Sequence, residues 1–228
     1  MSYKDVMVKL QALGSEKVRQ ENARRGAGEK QFGVKMGDIR ALAKEIKTDP
    51  ALAKQLWDSG NIDAMFLATL LMKPKDLSVA DLDTMLETIT YSWLADWFGT
   101  NVVKLHPQKE AQRERWMKSK NEVTARMGWS LTAERIVKDP KGLDVSGLLD
   151  RIEREMPNAG SSAQWPMAGA QWTMNYCLAE IGINFPEHRK RAMAIGEKIG
   201  AFRDYPVSKG CTSPYAPIWI SEMVKRKG

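Results

Sequence analysis

The sequence contains few of the residues that most often carry recognisable chemistry. Its 228 residues include only two cysteines and two histidines. Cys177 and Cys211 stand far apart and form no CxxC pair, so the sequence predicts neither a metal site nor a structural disulfide. His106 precedes a proline and His188 lies in a very basic stretch, so we expect both at the surface and neither in a catalytic triad.

Long apolar runs are also absent. No stretch approaches the roughly 20 apolar residues that span a bilayer, and the first residues, 1–13, are amphipathic with acidic as well as basic side chains. We therefore expect a cytoplasmic protein without a membrane partner. The sequence has no GxxxxGK[ST], no GxGxxG after a strand, no HExxH and no GxSxG, which excludes the ordinary phosphate loops, zinc proteases and hydrolase elbows.

Positive charge and helical periodicity are what the sequence does contain. Lys and Arg number 35 against 28 Asp and Glu, for a net charge of +7, and 43% of the residues are hydrophobic. That hydrophobic content is enough for a continuous core in one domain or in a repeat array. The positive balance favours a polyanionic partner without selecting among polyanions.

Apolar residues recur at spacings of three and four, as at Val6, Leu10 and Leu13, whereas strand alternation is almost absent. The pattern predicts an all-α protein, with helices near residues 36–46, 61–72, 78–89 and 121–137. Glycines and prolines divide the chain into short segments. The predicted breaks are Gly14, Gly26–Gly28, Gly37, Asp49–Pro50, Gly60, Lys73–Pro74, His106–Pro107, Asp139–Pro140 and Gly142.

Short helices with tight breaks pack as antiparallel pairs, and successive pairs must stack to bury their apolar faces. We therefore predict an α-solenoid of roughly six pairs in one domain spanning residues 1–228, with a globular helical bundle as the competing architecture. The segment Pro157–Pro166 is predicted to be an exposed loop within this domain, before a helix at Gln171–Ile181. A second irregular segment, Asp204–Pro217, precedes a last helix at Ile218–Lys227.

The most unusual local composition places one carboxylate among large aromatic residues at Tyr91–Phe98. Asp96 follows Trp93 by three residues and therefore shares a helix face with it, and Trp97 is its neighbour. A cationic group there would meet both a negative charge and a π face. The alternative is that both indoles belong to the core and that Asp96 is a solvated or capping acid.

A basic stretch follows this aromatic segment. Its cations outnumber Glu110, Glu114 and Glu122, and they are Lys104, Lys109, Arg113, Arg115, Lys118, Lys120 and Arg126. Such a stretch predicts a phosphate-facing stripe that binds DNA without reading its sequence, and an ordinary solvated helix surface is the alternative.

Three further residues are candidates for ligand contact. Arg126 stands in an otherwise apolar helix, which suits an arginine that points into a groove, although pairing with Glu122 is also possible. Trp172 and Tyr176 are four residues apart and share a helix face, as ligand contacts or as core residues.

The segment Gln31–Lys44, QFGVKMGDIRALAK, resembles the signature of the DNA alkylation repair family, DNA glycosylases built from HEAT-like helical repeats. The resemblance extends over most of the chain and implies the same solenoid. It also implies that a basic concave face binds double-stranded DNA containing alkylated bases. We expect a monomer.

The resemblance implies a catalytic role for Asp96. A base methylated at a ring nitrogen is already cationic and leaves readily, so excision needs only water and a carboxylate that stabilises the oxocarbenium sugar. No cofactor and no metal are therefore expected. By the same resemblance, Trp93 approaches the deoxyribose, Arg126 contacts a phosphate near the lesion, and Tyr176 takes a place usually held by a tryptophan.

Three departures from the family pattern bear on catalysis. Ser92 stands four residues before Asp96, where the family usually has a tryptophan, Tyr176 is the second departure, and a Pro157–Pro166 stretch longer than expected is the third. They favour the alternative of a HEAT-like scaffold that binds DNA or protein without excising a base. An RNA-binding solenoid is a third alternative.

Overall fold

The computed structural model describes residues 1–159 and 169–227, and every regular element in these ranges is helical. The α-helices of the described residues are α1 (Tyr3–Ala12), α2 (Glu16–Arg24), α3 (Met36–Ile46), α4 (Pro50–Asp58), α5 (Ile62–Leu71), α6 (Val79–Thr88), α7 (Ser92–Asn101), α8 (Lys109–Met117), α9 (Glu122–Lys138), α10 (Val145–Glu155), α11 (Ala170–Asn184), α12 (Pro186–Ile199) and α13 (Ala216–Lys227). Short 3-10 turns lie at Pro74–Asp76, Val103–Leu105 and Met156–Asn158. The predicted helices are confirmed to within a few residues.

Polar caps start several helices where the sequence predicts breaks. Asp49 caps α4 by accepting the backbone N–H of Leu52 at 3.0 Å, with Pro50 as the first helical residue, where proline loses no hydrogen bond. Gly37, however, was wrongly predicted as a break. It is the second residue of α3, and a side chain added there would meet nothing within 4 Å.

The described residues divide into two compact units, the first formed by residues 1–112 and the second by residues 113–159 and 169–227. In the first unit α5 is the central helix. It packs against α3, α4 and α7, and nine of its ten residues are buried. A helix that is apolar on all sides is stable only when it is surrounded in this way.

In the second unit α11 has the central position, packing against α9, α10, α12 and α13. Glycine also allows a close approach between α9 and the end of α8. A Cβ on Gly128 of α9 would lie 2.3 Å from the backbone nitrogen of Met117. Each unit thus combines contacts between consecutive helices, such as α4 with α5, and between alternate helices, such as α9 with α11. This is the packing of stacked helix pairs.

Two predicted irregular segments have different outcomes. Of Pro157–Pro166, only residues 157–159 are described, and the remainder lies outside the described residues. The segment before α13 is irregular as predicted, but the helix begins at Ala216, two residues earlier than expected. A single domain over residues 1–228 stays a prediction. Within the described residues, no helix has the length and apolar character needed to cross a bilayer.

Candidate nucleic-acid interface

Helix α7 has a buried side and a surface side. Leu94 and Phe98 are buried in the first unit, whereas Asp96 is exposed. Trp93 and Trp97 are half-buried. The indoles therefore belong partly to the core and partly to the surface, and the carboxylate of Asp96 stands on the solvent side of the same helix.

The ring of Phe66 on α5 packs against the indoles of both Trp93 and Trp97. Its ring centroid lies 5.7 Å from that of Trp93 and 5.8 Å from that of Trp97, with interplanar angles of 67° and 88°. Tyr91 adds edge contacts to Phe66 and to Trp93 at 6.3 and 6.2 Å. Edge-to-face contacts of this kind are favourable and restrict how the rings turn.

Two arginines from other helices cover the indole rings. The guanidinium carbon of Arg25, which ends α2, lies 5.7 Å from the Trp93 ring centroid, and that of Arg40 on α3 lies 4.8 Å from the Trp97 centroid. Both arginines are exposed. We call Arg25, Arg40, Trp93, Asp96 and Trp97 the α7 surface. This surface presents two cations and one carboxylate around two half-buried indole rings.

Arg25 and Arg40 are site residues that the sequence patterns do not indicate. Arg40 lies inside the segment that carries the family resemblance, and this was the only available signal for it. Helical periodicity relates residues within one helix, whereas each of these arginines lies more than 50 positions before its tryptophan in the sequence.

The most specific part of the family motif has a structural role. The backbone N–H groups of Phe32, Gly33 and Val34 donate to the carboxylate of Asp63 at 2.6, 3.0 and 2.9 Å. Asp63 is 1% exposed, so its carboxylate oxygens accept three backbone hydrogen bonds in place of hydrogen bonds from water. This carboxylate anchors the segment that joins α2 to α3, which starts at Arg25 and is followed by the helix that carries Arg40.

The expected position of Arg113 in a phosphate-facing stripe is wrong. Its side chain is buried, 3% exposed, and donates to Thr132 Oγ1 at 3.2 Å, to Glu114 Oε1 at 3.0 Å and to Met117 Sδ at 3.6 Å. A charge removed from water must be compensated by such partners, and the hydrogen bond to Thr132 joins α8 to α9. Lys104, by contrast, is half-buried in the turn after α7.

Arg126 is likewise buried where an exposed groove position was expected. It is 3% exposed and donates to the backbone carbonyl of Gly169 at 3.1 Å. The apolar neighbours of Arg126 in the sequence therefore indicate burial of its guanidinium group, with a protein carbonyl as a partner. Neither Arg113 nor Arg126 offers an exposed cation to DNA in this structure.

Trp172 and Tyr176 belong to an aromatic cluster in the second unit. Tyr176 stacks on Trp219 with centroids 5.4 Å apart, and Trp172 packs edge-on against Phe202 at 5.2 Å. Burial, together with the neighbouring carboxylate of Glu180, raises the pKa of Tyr176 to about 12. Both predicted residues are half-buried, so they serve in packing and also reach the surface.

The histidine and cysteine predictions have mixed outcomes. His106 was wrongly placed at the surface: it is 3% exposed, with Nε2 3.0 Å from the carbonyl of Leu77 and Nδ1 accepting from the N–H of Gln108 at 3.2 Å. This pairing fixes the tautomer with the proton on Nε2. Cys177 is buried and Cys211 is exposed, and both are free thiols as expected.

Comparison with solved structures defines the class of protein. The chain superimposes with a TM-score of 0.78 and 25% identity on a protein from a family described as related to the HEAT-like repeat DNA glycosylases with affinity for branched DNA structures. The match covers 100% of this chain and 95% of the other. The prediction of an all-α fold of HEAT-like helix pairs is thereby confirmed.

The sequence belongs to the DNA alkylation repair enzyme family, whose model matches residues 6–219. The resemblance carried by the segment Gln31–Lys44 is thus confirmed. Relatives include the protein Lin0241 of Listeria innocua, 22% identical over 199 residues that cover 86% of this chain and 83% of the relative. The protein Lmo0209 of Listeria monocytogenes is 21% identical over 198 residues, which cover 86% and 84% of the two chains.

Proposed function

We propose that this protein binds DNA through the α7 surface and that the contact is made mainly to phosphates. The observation that carries the proposal is the pair of exposed guanidinium groups of Arg25 and Arg40, each held over an indole ring. An arginine already ordered by a cation–π contact loses less freedom when it binds a phosphate. Membership of a DNA repair family supports the same partner.

The test removes both cations. In the double variant Arg25→Gln/Arg40→Gln, duplex affinity should fall roughly tenfold, and the slope of log affinity against log salt should flatten by about 2, because each phosphate contact contributes about 0.9. Affinity is measured by fluorescence anisotropy over a series of salt concentrations.

A matched control removes two exposed cations elsewhere in the first unit. Lys54 pairs with Asp58 at 2.6 Å, and Lys75 is exposed, so Lys54→Gln/Lys75→Gln changes the net charge equally. This control should leave the salt slope unchanged. Equal losses in the two variants would contradict a contact at the α7 surface, because they would show only an effect of net charge.

Base excision is a second candidate, favoured by the exposure of Asp96 beside Trp93. A carboxylate at the surface of the same helix can approach the sugar of a cationic alkylated purine and stabilise the oxocarbenium ion as the base leaves. It ranks second because Arg25 and Arg40 cover the indole rings, so a cationic base would have to displace a cation of the protein. Ser92 also provides no aromatic ring four residues before Asp96.

The excision test uses Asp96→Asn. If Asp96 is catalytic, this variant should release no free base from methylated duplex DNA, while its duplex affinity stays equal or rises, since a negative charge near phosphates is lost. Asp76→Asn, an exposed acid elsewhere in the first unit, is the control and should excise normally.

The outcome for wild-type protein decides between the two candidates. No release by wild-type protein, together with tight and salt-sensitive binding, would reject excision and leave DNA binding. Branched DNA is then the substrate to compare with blunt duplex, because the structural neighbour is described as having affinity for branched DNA.

A further inference from the structure

A pocket with a volume of about 280 Å³ opens in the second unit, and none of the α7-surface residues belongs to its lining. It is lined by α11, by α13 and by the irregular segment that precedes α13. We call it the C-terminal pocket. The lining residues used below are Trp172, Tyr205, Ser208, Cys211, Thr212 and Trp219.

The walls of the C-terminal pocket are aromatic and well supported. The ring centroid of Trp172 lies 6.4 Å from that of Trp219 and 6.5 Å from that of Tyr205. Behind them, Phe202 packs on Trp172 and Tyr176 stacks on Trp219. Supported rings of this kind bind flat π systems by stacking. The volume lies just below the roughly 300 to 1,000 Å³ of ordinary small-molecule sites, which suits a single planar ring system.

The rim of the C-terminal pocket is basic. Arg226 donates to Thr212 Oγ1 at 3.1 Å, and Lys209 is exposed beside the lining residue Ser208. Asp204 is an exposed acid beside the lining residue Tyr205, against the two cations Arg226 and Lys209. A basic rim around an aromatic pocket suits a ligand that is flat and carries phosphate.

We propose that the C-terminal pocket binds one unpaired nucleobase of DNA. Trp172 and Trp219 stack on the base, while Arg226 and Lys209 contact the neighbouring phosphates. Aromatic stacking beside a basic rim is how single-stranded nucleic acid is held without sequence preference. The inference rests on the proposed DNA binding but uses none of the α7 surface. It makes DNA with unpaired strands, such as single-stranded tails and flaps, the preferred form of DNA.

The test uses Cys211 as a chemical handle in the pocket. Cys211 is exposed, whereas Cys177 is buried, and burial raises the pKa of its thiol. N-ethylmaleimide should therefore label Cys211 alone and fill part of the pocket. The probes are a blunt duplex and the same duplex with a short single-stranded thymine tail.

Unlabelled protein should bind the tailed duplex about tenfold more tightly than the blunt duplex. Labelling should abolish this preference while leaving affinity for the blunt duplex unchanged. The variant Cys211→Ser should keep the preference with or without N-ethylmaleimide, which controls for effects of the reagent elsewhere. Trp219→Leu should also lose the preference, and the labelling experiment remains decisive if that variant does not fold.

Three outcomes would overturn the inference, and they separate it from the proposed function. Equal binding of tailed and blunt duplex by the unlabelled protein rejects the pocket but leaves DNA binding intact. A tail preference that survives labelling of Cys211 shows that the unpaired strand binds elsewhere. Failure to bind either probe rejects the DNA binding on which the inference rests.

Discussion

At the residue scale, the buried polar side chains differ in whether they have hydrogen-bond partners. Asp63 and Arg113 are each compensated by hydrogen bonds, whereas the hydroxyl of Tyr91 is buried without a hydrogen-bond partner among the described residues. A buried hydroxyl that lacks a partner destabilises the fold by about 1 to 3 kcal/mol. Removal of the hydroxyl oxygen of Tyr91 should therefore not lower the free energy of unfolding and should tend to raise it.

We expect Tyr91→Phe to leave the free energy of unfolding unchanged or to raise it by about 1 kcal/mol at pH 7. Urea denaturation followed by circular dichroism measures this change. Tyr3→Phe, at a position 36% exposed, is the control and should have no effect. Destabilisation of Tyr91→Phe by more than about 1 kcal/mol would contradict the absence of a partner for the hydroxyl.

The same residue makes stability sensitive to alkaline pH. Burial raises the pKa of Tyr91 from 10.0 to about 12. Between these values the unfolded chain loses the proton while the folded protein keeps it. The free energy of unfolding is therefore independent of this group below pH 10 and falls as pH rises towards 12, by at most about 3 kcal/mol. Denaturation at a series of pH values should show a smaller alkaline loss for Tyr91→Phe than for wild type.

At the scale of elements, the segment between α2 and α3 depends on one backbone conformation. Gly33 has φ of 78°, and a Cβ there would lie 2.4 Å from the backbone oxygen of Ser15. The N–H of Ser15 in turn donates to the Gly33 carbonyl at 3.0 Å. This close approach docks the segment against the start of α2, and a side chain at Gly33 would disrupt it.

Two glycine substitutions separate the need for a glycine conformation at position 33 from the general effect of helix propensity. Gly33→Ala should lower the free energy of unfolding by about 2 kcal/mol or more, because it adds both a strained φ and a backbone clash. Gly37→Ala places a methyl in open space on α3 and should be neutral or stabilising by up to about 1 kcal/mol. Chemical denaturation measures both, and similar losses in the two variants would contradict the docked segment.

The same element-scale contact links stability to the α7 surface. Asp63 anchors the segment that joins α2 to α3; this segment begins at Arg25 and leads into α3, which carries Arg40. A loosened segment would therefore place the two arginines less well over Trp93 and Trp97. This is why the family motif and the candidate interface occur together, although none of Phe32, Gly33 and Val34 belongs to the α7 surface.

At the scale of the whole molecule, the net charge of the protein and the number of phosphates it contacts affect DNA binding in different ways. The net charge of +7 promotes encounter with any polyanion, but the salt dependence of affinity counts only the phosphates that are contacted. We expect log duplex affinity to fall linearly with log salt, with a slope of about −2 or steeper, and equally for duplexes of different sequence. Anisotropy titrations on two unrelated duplexes test this, and a duplex affinity insensitive to salt would contradict a contact made mainly to phosphates.

How far sequence analysis predicted the site differs from residue to residue. The position of Asp96 on one helix with Trp93 and Trp97 follows from their spacing, and the structure agrees. The burial of Arg113 and Arg126 differs from the prediction because the helical pattern around a charged residue does not show whether the folded core contains a hydrogen-bond acceptor for it. Thr132 and the carbonyl of Gly169, which accept their hydrogen bonds, lie 19 and 43 positions away.

Apolar periodicity, capping residues and prolines act over a few neighbouring positions, so the helices, their approximate ends and the all-α class can be predicted from the sequence. Packing between distant parts of the chain places Arg25 and Arg40 over two indoles, brings Asp63 against the segment that joins α2 to α3, and buries two expected DNA contacts. Those outcomes depend on which distant surfaces pack together, since a side chain is desolvated or exposed only through its neighbours in space.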